Sequence, residues 1–250
     1  MSQPQPLSAA LEFPQPPSFK DTQSDPAATL TWLKENIATI YLTGRTTSLP
    51  QDKPPTLARS AYLGVYTTTH NYVEITKHAY KRKPEDLEPL NPHDLYRGLE
   101  EIIRDHCSQV RAQLFTLGNS NGANGAAARA MIRGYLAQWK MLTQQLAALV
   151  AHLLRHLDRV WIRRELDEKR KAVYCIQDLH QVIWKEEILL QVGGDSAAGE
   201  AATVRSELKR ALEMLEQGQD QDGVETDGKA LAERFLGSLR AVGVDLEVSV

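Results

Sequence analysis

"VWIRRELDEKRKAVYCI", residues 160–176, is the stretch on which the reading of the fold turns. It sets Arg163, Arg164, Lys169, Arg170 and Lys171 beside Trp161 and Tyr174. Basic residues interleaved with aromatics can pair with phosphates and stack on bases, so a helical nucleic-acid binder is one reading. The acids between the bases argue against it. Residues 155–171 hold seven basic positions (155, 159, 163, 164, 169, 170 and 171) and four acidic ones (158, 165, 167 and 168). On a helix Arg164 and Glu168, Glu165 and Lys169, and Asp167 and Lys171 fall four apart, as pairs worth about 0.3–0.5 kcal/mol each. A groove that tracks phosphates draws affinity from uncompensated cations, whose binding releases counterions. Here much of the charge is matched locally, which favours a solvated or partner-facing helix end.

Working outward, the helical pattern extends far on both sides. From Ala126 to Val192 only Gly134 interrupts it, with Met131, Leu136, Trp139, Leu142, Leu146, Leu149, Leu153, Leu157, Val160 and Trp161 at helical spacing. That is too long for one ordinary helix, so breaks are expected near Ala147 and near Asp167. A further helix carries Val173, Ile176, Leu179, Ile183 and Leu190, and "GGDSAAGE" reads as a linker. Two shorter amphipathic helices follow at about Val204–Glu216 and Lys229–Val242. Upstream, Leu30, Leu33, Ile37, Ile40 and Tyr41 mark a helix that begins at Pro26 and ends at Gly44. A second helix runs from about Arg59 to His78. A third opens at Asn91-Pro92, a cap followed by proline at the first helical position, and carries Leu95, Leu99, Ile102, Ile103, Val110 and Leu114. Strand-like alternation appears only in the last residues, "VDLEVSV". The fold class is all-α.

Composition bounds the rest. The 250 residues are 42% hydrophobic with a formal net charge of -3, enough for one or two domains with a real core. Residues 1–26 hold six of the twelve prolines, and their composition predicts a disordered tail. Cys107 and Cys175 lie far apart without a CxxC, which suits a reduced compartment and two ordinary buried thiols. No run approaches a membrane span, so the sequence predicts a soluble, intracellular protein.

Candidate chemistry does not assemble. His152 and His156 stand four apart, as a metal pair can, but no third ligand is visible nearby and Leu153 sits where a zincin places glutamate. Asp220, Asp222 and Gly223 resemble part of a calcium loop, whose first and last ligands would be Gly218 and Lys229, which cannot coordinate calcium. No phosphate-cradling loop or nucleophile elbow is present. The expectation is a non-catalytic protein without metal or cofactor.

The second helix carries a different signal. On a wheel Ala61, Val65, Thr68 and Tyr72 share one face, and Tyr62, Leu63, Tyr66, Thr67 and His70 cluster on the adjacent one. Either the helix is buried on two sides, or its second face awaits a partner.

"SAYLGVYTTTHNYV", residues 60–73, resembles the second-helix signature of cullins of the F-box-recruiting class, through Ser60, Tyr62, Leu63, Tyr66, Thr67, Asn71 and Tyr72. "DLYRGLEEII" resembles the family's third helix, and residues 155–189 closely resemble its fifth helix and the start of its second repeat. The likeness covers about residues 27–247. It implies a cullin-repeat bundle in an elongated stack: a first repeat at 27–168 and about three helices of a second at 169–250. It further implies a scaffold of a cullin–RING ubiquitin ligase of the SCF type, working in cytoplasm and nucleus. Its first repeat would bind a Skp-type adaptor carrying an F-box substrate receptor. The adaptor-facing residues implied are Tyr62, Leu63, Tyr66, Thr67 and His70, with Arg159 and Trp161 from the fifth helix. His70 replaces the family's usual tyrosine, and Gly64 its usual glutamate. The family's C-terminal domain, which binds the RING protein, is not in these residues. A short chain of this kind would act as a receptor-recruiting arm or as a competitor for the adaptor. In either case the opening stretch becomes the hinge between repeats, not a grip on nucleic acid.

Overall fold

The computed structural model describes residues 10–45, 55–79, 90–119, 125–190, 204–216 and 225–244. The calcium-like stretch, the 193–200 linker and the last six residues lie outside these. Among the described residues every named element is helical, and extended pairing is confined to an isolated bridge between Leu11 and Leu57.

The disordered tail expected at 1–26 is structured from residue 10 onward. Composition misleads there because local hydrogen bonds, not bulk apolar burial, set the chain. Ser18 and Asp21 cap each other's backbone at the start of α1 (Phe19–Ser24), and Thr22 is fully buried. Asp25 then accepts from the Ala28 N–H at 2.9 Å, opening α2 (Pro26–Arg45) with proline at its first position.

The remaining boundaries follow their chemistry. α3 spans Arg59–Ala79 and α4 Pro92–Asn119. At the start of α4 the Asn91 side chain accepts from the His93 N–H at 2.8 Å. The Asp94 carboxylate accepts in return from the Asn91 N–H at 2.7 Å. The expected break near Ala147 is absent: α5 (Gly125–Lys140) passes through a π-helical segment, Met141–Leu146, directly into α6 (Ala147–Leu153). A wide turn absorbs the mismatch between a 3.6-residue period and the packing without leaving the helix. After a local departure at Leu154 come α7 (Arg155–Leu157), a second π segment (Asp158–Ile162) and α8 (Arg163–Asp167). α9 (Ile176–Trp184) leads into a third π segment, Lys185–Leu190, and α10 (Val204–Glu216) and α11 (Glu225–Ala241) complete the described chain.

The break at Asp167 is real, and its geometry is specific. The Arg170 N–H reaches the Glu165 carbonyl and the Lys169 N–H reaches that of Leu166, the Schellman pattern that normally places glycine at the left-handed position. Here that position is Lys169, at φ 55°, and Ala172 follows at φ 68°. The same pattern closes α11 with Gly243 at φ 64°. A left-handed conformation costs a non-glycine residue about 1 kcal/mol. Lys169→Gly is therefore expected to stabilise the fold by up to about 1 kcal/mol, and Gly243→Ala to destabilise it by a similar amount, both read from denaturant midpoints.

The turn also re-pairs the charges. Glu165, expected opposite Lys169, is nearly buried and instead meets Arg164 at 3.0 Å and Arg170 at 3.2 Å, because the helix ends before the fourth residue on. Arg164 and Glu168 do pair, at 3.9 Å.

Packing divides the chain into two compact units: Met1–Ile102 with Gln145–Gln177, and Ile103–Gln144 with Asp178–Val250. α4 contributes residues to both units. The first unit buries Leu33, Ile37, Val65, Tyr72, Leu99 and Leu153; the second buries Ile103, Cys107, Tyr135, Trp184, Leu212 and Phe235. Cys107 is thus the buried thiol expected, whereas Cys175 is half-exposed. No described helix is long and apolar enough to cross a membrane.

Candidate functional site

α3 is built as its sequence pattern reads. Ala61, Val65, Thr68 and Tyr72 are buried, and the Tyr72 hydroxyl donates to the Asn91 carbonyl at 3.2 Å. The adjacent face is open rather than covered. Leu63 is 47% exposed and Tyr66 37%; Thr67 and His70 are exposed as well. Tyr62 is half-buried, its ring lying nearly parallel to that of Tyr66 at 6.5 Å. Other large apolar side chains also reach the surface, Phe115 and Leu117 among them. Those two are two residues apart and point to different sides of α4, whereas Leu63 and Tyr66 are three apart and share one side of α3.

Gly64 lies beneath the N-terminal segment. A methyl group there would make ordinary contact with Pro16 at 3.5 Å and Trp32 at 3.7 Å.

Helices α6–α8 supply the neighbouring surface. Arg159 is exposed, in keeping with a role at a surface. Trp161 is not: it is only 6% exposed, with its ring 5.3 Å from Tyr96 and 5.5 Å from His93. Its support is to α4, against which it packs. Tyr96 extends that support, its hydroxyl accepting from the Tyr174 N–H at 3.0 Å and so fixing the turn after α8. Burial pushes the Tyr96 phenol well above its ordinary range. A cleft of about 590 Å³ opens beside this support, lined by Thr76, Lys77, His93, Trp161, Arg164 and Arg170. Its arginines are tied to Glu165 and Glu168.

One association escapes sequence reasoning. His156 meets neither His152 nor solvent alone; its Nε2 lies 2.7 Å from Glu74 Oε1, and its ring centroid lies 4.2 Å from that of His70. Lys77 holds the other Glu74 oxygen. That hydrogen bond from Lys77, and less strongly the one from His156, keep the Glu74 carboxyl below its usual range despite partial burial. The available signal was the His70–Glu74 spacing of four on α3, which has meaning only once α7 is known to lie alongside.

The comparison with known families decides what this arrangement belongs to. Residues 32–245 match the family described as the cullin alpha solenoid domain. The chain belongs to the cullin family. Among curated relatives, Cullin-1 of Caenorhabditis elegans is 25% identical over 148 residues, covering 53% of this chain and 17% of that protein. Cullin-1 of Dictyostelium discoideum is 27% identical over 93 residues, covering 37% of this chain and 11% of that protein. The chain thus spans less than a fifth of the length of these relatives. No solved structure matches it. The family match spans both the α3 face and helices α6–α8.

Proposed function

We propose that this chain is the adaptor-binding arm of a ubiquitin-ligase scaffold of the SCF type. In this reading it binds a Skp-type adaptor, with its F-box receptor, through Tyr62, Leu63, Tyr66, Thr67 and His70 of α3 and Arg159 of the adjoining helix. The observation that carries the reading is the open face of α3. A helix with one side fully buried keeps two large side chains, Leu63 and Tyr66, in water on another side. Hydroxyl and imidazole groups stand beside them, the mixture typical of a recognition surface. The role is that of a scaffold; it is supported by Arg164 and Arg170 of the described cleft being engaged with Glu165 and Glu168 as ion pairs.

Isothermal calorimetry of residues 1–250 with a purified Skp-type adaptor bound to an F-box protein tests this. The expected result is a one-to-one complex with a Kd of about 1 μM or tighter, about -8 kcal/mol. Added in excess to a complete ligation reaction, the same polypeptide should slow substrate ubiquitination in proportion to the adaptor it occupies. No heat of binding and no inhibition together would sink the reading.

A further inference from the structure

We propose that His70, Glu74 and His156 form a three-ligand site for a divalent cation of the zinc class. His70 and Glu74 stand four apart on α3, so both project from one side of it. His156 comes from α7 alongside. One ligand atom from each residue can be chosen so that all lie within 4.8 Å of one another. Zinc bonds to nitrogen or oxygen of about 2.0–2.1 Å set tetrahedral ligand atoms roughly 3.3 Å apart. Glu74 Oε1 and His156 Nε2 are already inside that spacing at 2.7 Å. Closing the set needs a small rotation of His70, the most exposed of the three.

The donor set selects the cation. Two imidazoles and one carboxylate suit zinc and its first-row neighbours, and suit calcium or magnesium poorly, since those prefer an all-oxygen shell. Two ligands at i and i+4 on one helix with a third from a neighbour is a common way for packed helices to build a metal centre. Lys77, on the second oxygen of Glu74, fixes the carboxylate with its other oxygen toward His156, as an outer partner does around a bound metal. Three protein ligands leave a fourth position, and His70 on the exposed side of the set leaves it open to solvent. His70 is shared with the proposed adaptor face, but metal binding is read on the free chain, so failure of either proposal leaves the other untouched.

The test uses residues 1–250, stripped with a chelator and titrated with Co(II) as a spectroscopic probe, then with Zn(II) in competition. The expected result is one equivalent of Co(II) with the intense visible bands of a four-coordinate ion, displaced by one equivalent of Zn(II). His70→Ala, Glu74→Gln and His156→Ala should each weaken binding at least about 100-fold, more than loss of an outer partner costs. His152→Ala should leave it unchanged. Circular dichroism of each variant checks that the helices persist; His70 is exposed, so its variant folds whatever the other two do. Weak, octahedral Co(II) spectra, binding indifferent to His70 and Glu74, or binding lost with His152 would each overturn the proposal. The last would place the metal on the His152–His156 pair instead.

Discussion

Replacing Leu63 and Tyr66 together with alanine is expected to weaken binding to a Skp-type adaptor at least about 100-fold while leaving the protein folded. Anchors at the centre of an interface cost about 2 kcal/mol or more each on truncation, and two of them exceed the roughly 2.8 kcal/mol that 100-fold represents. Their exposure makes the test clean. Leu63 at 47% and Tyr66 at 37% exposure are partly buried in the free chain, so stability should fall by about 1–2 kcal/mol, short of unfolding. Tyr62, which the family signature places beside them, is a poorer probe because it is half-buried against Tyr66. Val65 provides the opposite control. It is fully buried, so Val65→Ala should cost on the order of 2 kcal/mol in stability and spare affinity measured below its melting temperature. Calorimetric titration with melting curves on all three proteins decides the matter. An unchanged Kd in a folded Leu63→Ala/Tyr66→Ala protein would remove this face from any adaptor contact.

Why the face of α3 was legible and Trp161 was not is a matter of register. α3 is an uninterrupted helix of 21 residues, so a wheel with a single period sorts Ala61, Val65, Thr68 and Tyr72 from Leu63, Tyr66 and His70 without error. Trp161 sits inside a π-helical segment, three residues past Asp158 and beyond the departure at Leu154. Each of those features rotates the following side chains, so no single period carries a face from Leu146 to Arg163. The residue's family role pointed outward, while its apolar spacing with Leu153 and Leu157 pointed inward, and in the structure its ring packs on Tyr96. The ion pairs at 163–171 were read on an unbroken helix for the same reason. A left-handed lysine is a conformation that sequence does not advertise, since glycine ordinarily fills that place. The His70–Glu74–His156 group was hidden differently: it joins residues 82 and 86 positions apart in the chain, and only the packing of α3 beside α7 brings them together.

The largest expected loss of stability lies in the second unit, at Trp184. It is fully buried, and its Nε1–H donates to the Tyr135 hydroxyl at 3.1 Å. Its ring meets those of Tyr135 and Trp139 edge-on at 5.4 and 5.7 Å, and Tyr135 in turn meets Phe235 edge-on at 5.0 Å. Burial holds the Tyr135 phenol up at about 12, against its hydrogen bonds with Trp184 and Ser238. Truncating a buried tryptophan to alanine costs about 3–5 kcal/mol through lost transfer energy and the cavity left behind. The edge-to-face pairs add about 0.5–1.5 kcal/mol apiece beyond their area. Against a typical total of about 5–15 kcal/mol, Trp184→Ala should bring the protein close to unfolding at room temperature. Trp184→Phe keeps an aromatic edge and most of the volume but no N–H, leaving Tyr135 with Ser238, and should fall between alanine and the native residue. Chemical denaturation of the three proteins gives the order directly. Because Trp184 and α3 belong to different units, the alanine variant cooled below its transition should still bind adaptor normally, the reverse of Leu63→Ala/Tyr66→Ala. A Trp184→Ala protein that loses less than about 1 kcal/mol would mean this aromatic cluster does not hold the second unit together.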